Sequence, residues 1–133
     1  MNTKVENQSV PMNLSKGLNL LLWVVQIGAS GMFLMAGASK LTGSEQMVGL
    51  FQAIGIGQWF RYVTGLMEVS GALLLLVPSL SGLGGLLLTG VMFGALATHL
   101  FIIGGNPVMA VMLLVASAAI AWGRREQIKK KEI

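Results

Sequence analysis

A chain of 133 residues that is 54% apolar and only 11% charged has too few charges to cover a water-facing surface, where about 25% is usual. The absence of cysteine excludes disulfides, thiolate metal sites, iron–sulfur clusters and covalent haem within the chain, and the single histidine, His99, excludes paired-histidine haem ligation. The formal charge of +4 comes without aromatic or groove-reading context, so the partner it predicts is a lipid bilayer and not nucleic acid.

Residues 1–17 are polar, carry Lys4, Glu6 and Lys16, lack a helical period and read as a flexible tail. The first apolar run, 18–40, reads as a membrane span. Its rival is a secretory signal ending at Ala36-Gly37-Ala38, but the run exceeds the usual 7–15 apolar residues and follows a long polar segment. Residues 44–54 are too short to span. Ser44 can cap a helix there, Met47, Leu50, Phe51 and Ile54 share one face, and Gly55 stops it, which predicts a short interfacial helix followed by Trp59 at headgroup level.

Further spans are expected at 61–78, ended by Pro78, at 82–103, and at 107–123. In the turn between the last two, Asn106 can cap and Pro107 can take the first helical turn. Residues 124–133 form a basic tail. At about 1.5 Å per residue each span covers most or all of a roughly 30 Å hydrocarbon core. The fold expected is therefore all-α, an antiparallel bundle of four transmembrane helices over 18–123. The tails carry seven of the nine Lys and Arg residues, which predicts that both termini are cytoplasmic.

Gly90 and Gly94 form a GxxxG pair, with Thr98 one turn further on. It reads as a close contact between helices, within the bundle more readily than between two copies. Met32-Phe33 before Lys40 and Met92-Phe93 before His99 hint at a repeat of helix pairs.

Ionisable residues are costly in hydrocarbon, roughly 2.5–3.5 kcal/mol at mid-membrane, so Lys40, Glu68 and His99 each need a partner, water or neutralisation. Glu68 lies roughly 10 Å below Arg61 and His99 roughly 6 Å below the outer end of its span. Helical side chains lean toward the N-terminus, so all three groups aim at one level of the outer leaflet, with Arg61 at the mouth. The functional reading is a ligand-binding or proton-handling cluster of Lys40, Glu68, His99 and Arg61. The plain reading is a set of helix ties and snorkelling end residues. Gln26 reads as an interhelical hydrogen bond. One His with one Glu is too few for a metal site, and no nucleotide-binding glycine motif or nucleophile elbow is present.

The stretches FLMAGASKLTG, FQAIGIG, GLMEVSGALLLLVP and ALATHLFIIGGNP, in that order, resemble the DoxX-like family of small bacterial membrane proteins. The likeness extends over roughly 18–123. It implies a four-helix protein of the bacterial inner membrane in which Lys40, Glu68 and His99 are recurrent polar positions. Some relatives look like subunits of thiosulfate:quinone oxidoreductase, others associate with oxidative-stress or thiol-handling enzymes, and a distant eukaryotic relative acts as a receptor-assembly chaperone.

The reading that follows is a redox-associated membrane subunit, not catalytic on its own, with an outer-leaflet pocket for a small ligand such as a quinone. It has no intrinsic cofactor and takes electrons from another membrane or redox protein. Two alternatives stand beside it: a non-enzymatic scaffold or assembly factor using the Gly90 and Gly94 face, and transport of a proton or small solute by a homo-oligomer.

Overall fold

A computed structural model describes residues 2–126, with side chains from residue 16 onward. The side chains of Lys4 and Glu6, and the Lys129–Lys131 part of the basic tail, lie outside what is so described. Among the described residues there is no strand. The helices are α1 (Asn2–Thr42), α2 (Glu45–Ile54), α3 (Trp59–Leu76), α4 (Ser81–Thr98) and α5 (Val108–Gly123), and α4 continues directly into one π-helical turn, His99–Ile103.

α1 begins at Asn2, inside the segment read as an irregular tail. Extending an existing helix adds one backbone hydrogen bond per residue and needs no apolar face, so the missing period does not prevent it. The short α2 has the expected ends. Ser44 accepts a hydrogen bond from the Met47 amide at 3.3 Å, and Gly55 takes the left-handed conformation at φ 89°. Phe51 points inward and meets the edge of Phe60, with ring centroids 5.7 Å apart. At the start of α5 the Val108 amide donates to Asn106 Oδ1 at 3.0 Å.

The buried residues form one stripe per helix. On α3 they are Arg61, Gly65, Glu68, Gly71, Ala72 and Leu75; on α5, Ala110, Leu113, Ser117 and Ile120. These three- and four-residue steps are those of a single helical face. α1 packs on α3 and α5, and α4 packs on the same two helices. Phe33, Leu75, Leu88 and Ile120 fill the centre.

Polarity is inverted relative to a water-soluble core. Gln26, Ser30, Ser81, Ser117, Glu68 and Arg61 are buried, whereas Met35, Phe101 and Trp122 are 75%, 83% and 70% exposed. So large an apolar exterior is not stable in water.

Glycines set how closely the helices approach, although not the pair singled out from the sequence. A Cβ at Gly84 would stand 2.9 Å from the Gly71 carbonyl oxygen and the Leu75 nitrogen, and one at Gly37 would stand 2.9 Å from the Gly65 carbonyl oxygen. Both contacts are with backbone, which cannot step aside as a side-chain tip can. Gly90 and Gly94 instead have nothing within 4 Å. The expectation that they pack inside the bundle is corrected: the buried stripe of α4 runs through Gly84, Gly85, Leu88 and Met92, and Gly90 and Gly94 lie off it. The Met-Phe echo fails for the same reason. Phe33 is buried while Phe93 is exposed, and Met92 is buried while Met32 is exposed.

Gly84→Ala is therefore expected to destabilise the bundle by about 1–3 kcal/mol through overpacking. Gly90→Ala should stay within about 0.5 kcal/mol of wild type. Thermal unfolding in detergent measures both, and equal losses would contradict the seam.

Candidate functional site

The site is assembled by the contact between α1 and α3. Gln26 Nε2 donates to the Leu75 carbonyl at 2.8 Å, and Ser30 Oγ donates to the Ala72 carbonyl at 2.9 Å. Gly37 then sits against Gly65 and Val69, and Lys40 reaches Glu68. Partner numbers fall along α3 as they rise along α1. Ordinarily a helix carbonyl is shielded by its own side chains; here the small residues expose it to a neighbour.

Lys40 Nζ stands 2.7 Å from Glu68 Oε1, an ion pair that joins α1 to α3. The Glu68 side chain is 2% exposed and that of Lys40 15%, so the carboxylate is enclosed and the ammonium forms its link to the outside. Such a pair is net neutral, which is what makes two charges tolerable in a low-dielectric interior.

Arg61 is more deeply involved than its expected place at the mouth implies. It is 5% exposed and donates through Nη1 to the Lys40 carbonyl and through Nε to Gln58 Oε1, the latter at 2.7 Å. Gln58 in turn donates to the Val48 carbonyl at 3.1 Å. Its guanidinium also lies 4.4 Å from the Tyr62 ring centroid, a cation–π contact. Arg61 thus ties the end of α1, α2 and the start of α3 beside the ion pair. The signal for its burial was its spacing: Arg61 and Glu68 are seven residues apart on one helix and share a face.

His99 takes a different position. It opens the π-helical turn, is half-buried, and its Nδ1 lies 3.0 Å from the Gly104 carbonyl oxygen. A carbonyl only accepts, so Nδ1 carries the proton and Nε2 remains available as an acceptor. Among the described residues Glu68 is paired with Lys40 and not with His99. The structure thus brings together Lys40, Glu68 and Arg61, with His99 held by its own turn.

A second polar cluster went unrecognised in the sequence. Arg124 Nε donates to Gln26 Oε1 at 2.8 Å and Nη1 to Asn19 Oδ1 at 2.7 Å, joining α5 to α1. Gln26 therefore binds α3 through its nitrogen and α5 through its oxygen. Burial pushes the Arg124 guanidinium below its usual pKa range. The available signal was Asn19 and Gln26 seven apart in an otherwise apolar run.

A family model described as the DoxX-like family matches residues 24–123. The chain belongs to the DoxX-like family. No curated protein and no solved structure matches it. The matched region holds Lys40, Arg61, Glu68 and His99 but stops short of Asn19 and Arg124. Two helical stretches of this DoxX-like protein, Lys16–Thr42 and Ser81–Ile103, are long and apolar enough to cross a membrane, and α5 is a shorter apolar helix. With the apolar exterior, the family and these helices assign the protein to a membrane.

Removing one partner of a fully buried ion pair costs about 3–5 kcal/mol. The partial exposure of Lys40 reduces that here. Glu68→Leu or Lys40→Met alone is expected to destabilise this DoxX-like protein by about 1–3 kcal/mol, and the double variant by less than the sum, because neither leaves the other charge stranded. A double-mutant cycle by unfolding in detergent measures the coupling. Strict additivity would show that the two groups do not act as a pair.

Proposed function

We propose that this DoxX-like protein is a redox-associated subunit of the bacterial inner membrane in which Lys40 and Glu68 bind the head of a small ligand of the quinone class. The observation that carries the reading is one ion pair enclosed by helices whose outer faces are apolar. Charged pairs inside membrane bundles are costly, and they mark ligand or proton sites.

The reading places the chain as an antiparallel bundle of four spans, α1, α3, α4 and α5, with both termini cytoplasmic and α2 in the outer interface. The falling register of α3 against α1 supports opposite directions for that pair. The concentration of Lys and Arg in the two tails supports the orientation. Lys40 and Glu68 then lie in the outer leaflet.

Reduction of a quinone consumes two electrons and two protons and yields the quinol. A partner redox protein supplies the electrons in this scheme. The Lys40 ammonium donates to one quinone oxygen and steadies the charge that develops as electrons arrive. Glu68, a carboxylate in the resting pair, takes up each of the two protons from the outer face and passes it on, one to each quinone oxygen. His99, with Nδ1 on the Gly104 carbonyl, offers Nε2 for exchange with water at the rim. Arg61 holds the Lys40 backbone and positions the ammonium.

A second reading is favoured by a separate observation. Gly90 and Gly94 are open to the outside, which suits a face for another membrane helix and a scaffolding role.

Titration of the purified protein with a short-chain quinone analogue, followed by tryptophan quenching, tests the first reading. Glu68→Gln and Lys40→Met are each expected to weaken binding about tenfold, the loss of one charge-assisted contact, while Gly90→Ala binds as wild type. Unchanged affinity in both pair variants would remove the quinone assignment. For the second reading, Gly90→Leu with Gly94→Leu should abolish cross-linking to a neighbouring membrane helix while analogue binding persists. Cross-linking that survives would eliminate that face as a contact.

A further inference from the structure

The end of the bundle opposite Lys40 and Glu68 contains a cavity of about 350 Å³ lined by Leu18, Asn19, Leu22, Gly123 and Arg124. A guanidinium has five N–H donors and no acceptor. At Arg124 one is used by Gln26 and one by Asn19, and Nη2 has no partner and is shut off from water. The other contact of this group, with the Trp23 ring at 5.8 Å, is also to a neutral side chain. Arg124 is thus a partly buried cation whose partners among the described residues are all uncharged. An N–H left unpaired in such a setting costs free energy that an incoming acceptor recovers.

The surroundings specify the acceptor. Beside Arg124, the Arg125 guanidinium lies 4.4 Å from the Trp122 ring centroid, and that ring is exposed. Two cations and an exposed indole at a helix end belong at headgroup level. Leu18 and Leu22 give the cavity an apolar wall, and Leu18 and Leu21 continue it outward, both 59% exposed. A ligand fitting this cavity has an oxyanion at one end and hydrocarbon at the other.

We infer that the cavity is a binding site for the phosphate of an anionic phospholipid, whose oxygens accept from the Arg124 guanidinium where it lines the cavity and whose acyl chain lies along Leu18 and Leu22. Inorganic phosphate shares the headgroup chemistry but not the chain. The site rests on the membrane placement of the protein and is independent of the quinone reading, being built from different residues at the other end of the bundle.

Native mass spectrometry of the full chain in detergent, with equal amounts of phosphatidylglycerol and phosphatidylcholine, tests this. Wild type is expected to retain one phosphatidylglycerol with about tenfold preference, because both lipids carry the phosphodiester but the quaternary ammonium of choline cancels its charge and is repelled by Arg124 and Arg125. Arg124→Gln should lose the preference. Leu18→Trp, which fills the cavity from an exposed position and leaves every Arg124 hydrogen bond in place, should lose it as well; this variant decides the matter if Arg124→Gln does not fold. Both variants should bind the quinone analogue as wild type does, so a failure here and a failure at Lys40 and Glu68 are distinguishable. Preference retained in Leu18→Trp, or absent in wild type, would overturn the site. Millimolar phosphate that raises the melting temperature of wild type but not of Leu18→Trp, with no lipid retained, would overturn the lipid assignment in favour of a soluble anion.

Discussion

α1 and α3 meet backbone to backbone, and most of what is distinctive in the molecule depends on that approach. Where Gly37 lies on Gly65, the two backbones come so close that a Cβ on either glycine would meet the other's carbonyl oxygen, with the Val69 and Leu41 side chains alongside. The carbonyls of Lys40, Ala72 and Leu75 are then within reach of Arg61, Ser30 and Gln26 on the facing helix. A helix carbonyl already bonded to its own amide has a second lone pair, and in an apolar setting a polar side chain that finds one is satisfied without water. Polar residues can therefore sit at the centre of this bundle without the desolvation cost that isolated ones would incur.

The same approach separates the polar content into two layers. Gln26 and Lys40 are fourteen residues apart on one helix, roughly 21 Å along its axis. Between them the interior is closed by Phe33, Ala72, Leu75 and Leu88, with Ser30 tied off locally. One layer pairs Lys40 with Glu68 and holds Arg61, whose own partners are uncharged, beside them. The other has a cation surrounded by amides. These are different electrostatic situations. A neutral pair is self-sufficient until a ligand with its own hydrogen-bonding groups competes for it, whereas a lone guanidinium draws a counterion from the medium. Two layers of opposite character at the two ends suit a protein facing different chemistry on each side.

Much of this was legible in the sequence because hydrophobic runs and their stops are local features. Ser44, Gly55, Asn106 and Pro78 mark helix ends by stereochemistry that depends on few neighbours. Glu68 and Lys40 stood out because charge in an apolar run is rare. What was not legible is azimuth, the direction in which a residue faces around its helix. Gly90 and Gly94 satisfy the close-packing spacing whereas Gly84, with Leu80 and Leu88 four residues away on either side, does not, and the spacing does not indicate which side of α4 meets α3. Arg61 resembled a headgroup anchor because arginine at a span end usually is one; only its register with Glu68 distinguishes it. Arg124 was read as part of a solvated tail since its acceptors, Asn19 and Gln26, lie about a hundred positions away.

His99 shows how a correct depth can still give the wrong neighbour. By α-helical steps the buried stripe of α4, Ser81, Gly84, Leu88 and Met92, would continue through Ala95 to His99 and deliver the imidazole inward. The π-helical turn begins at His99, and none of its five residues is buried. The His99 amide still bonds the Ala95 carbonyl, so the widening acts on the residues after it, and the ring itself is held by the contact of Nδ1 with the Gly104 carbonyl oxygen at 3.0 Å. Charge balance favours this outcome. Lys40, Glu68 and the buried Arg61 already carry one net positive charge, and an imidazolium enclosed beside them would raise it in low dielectric.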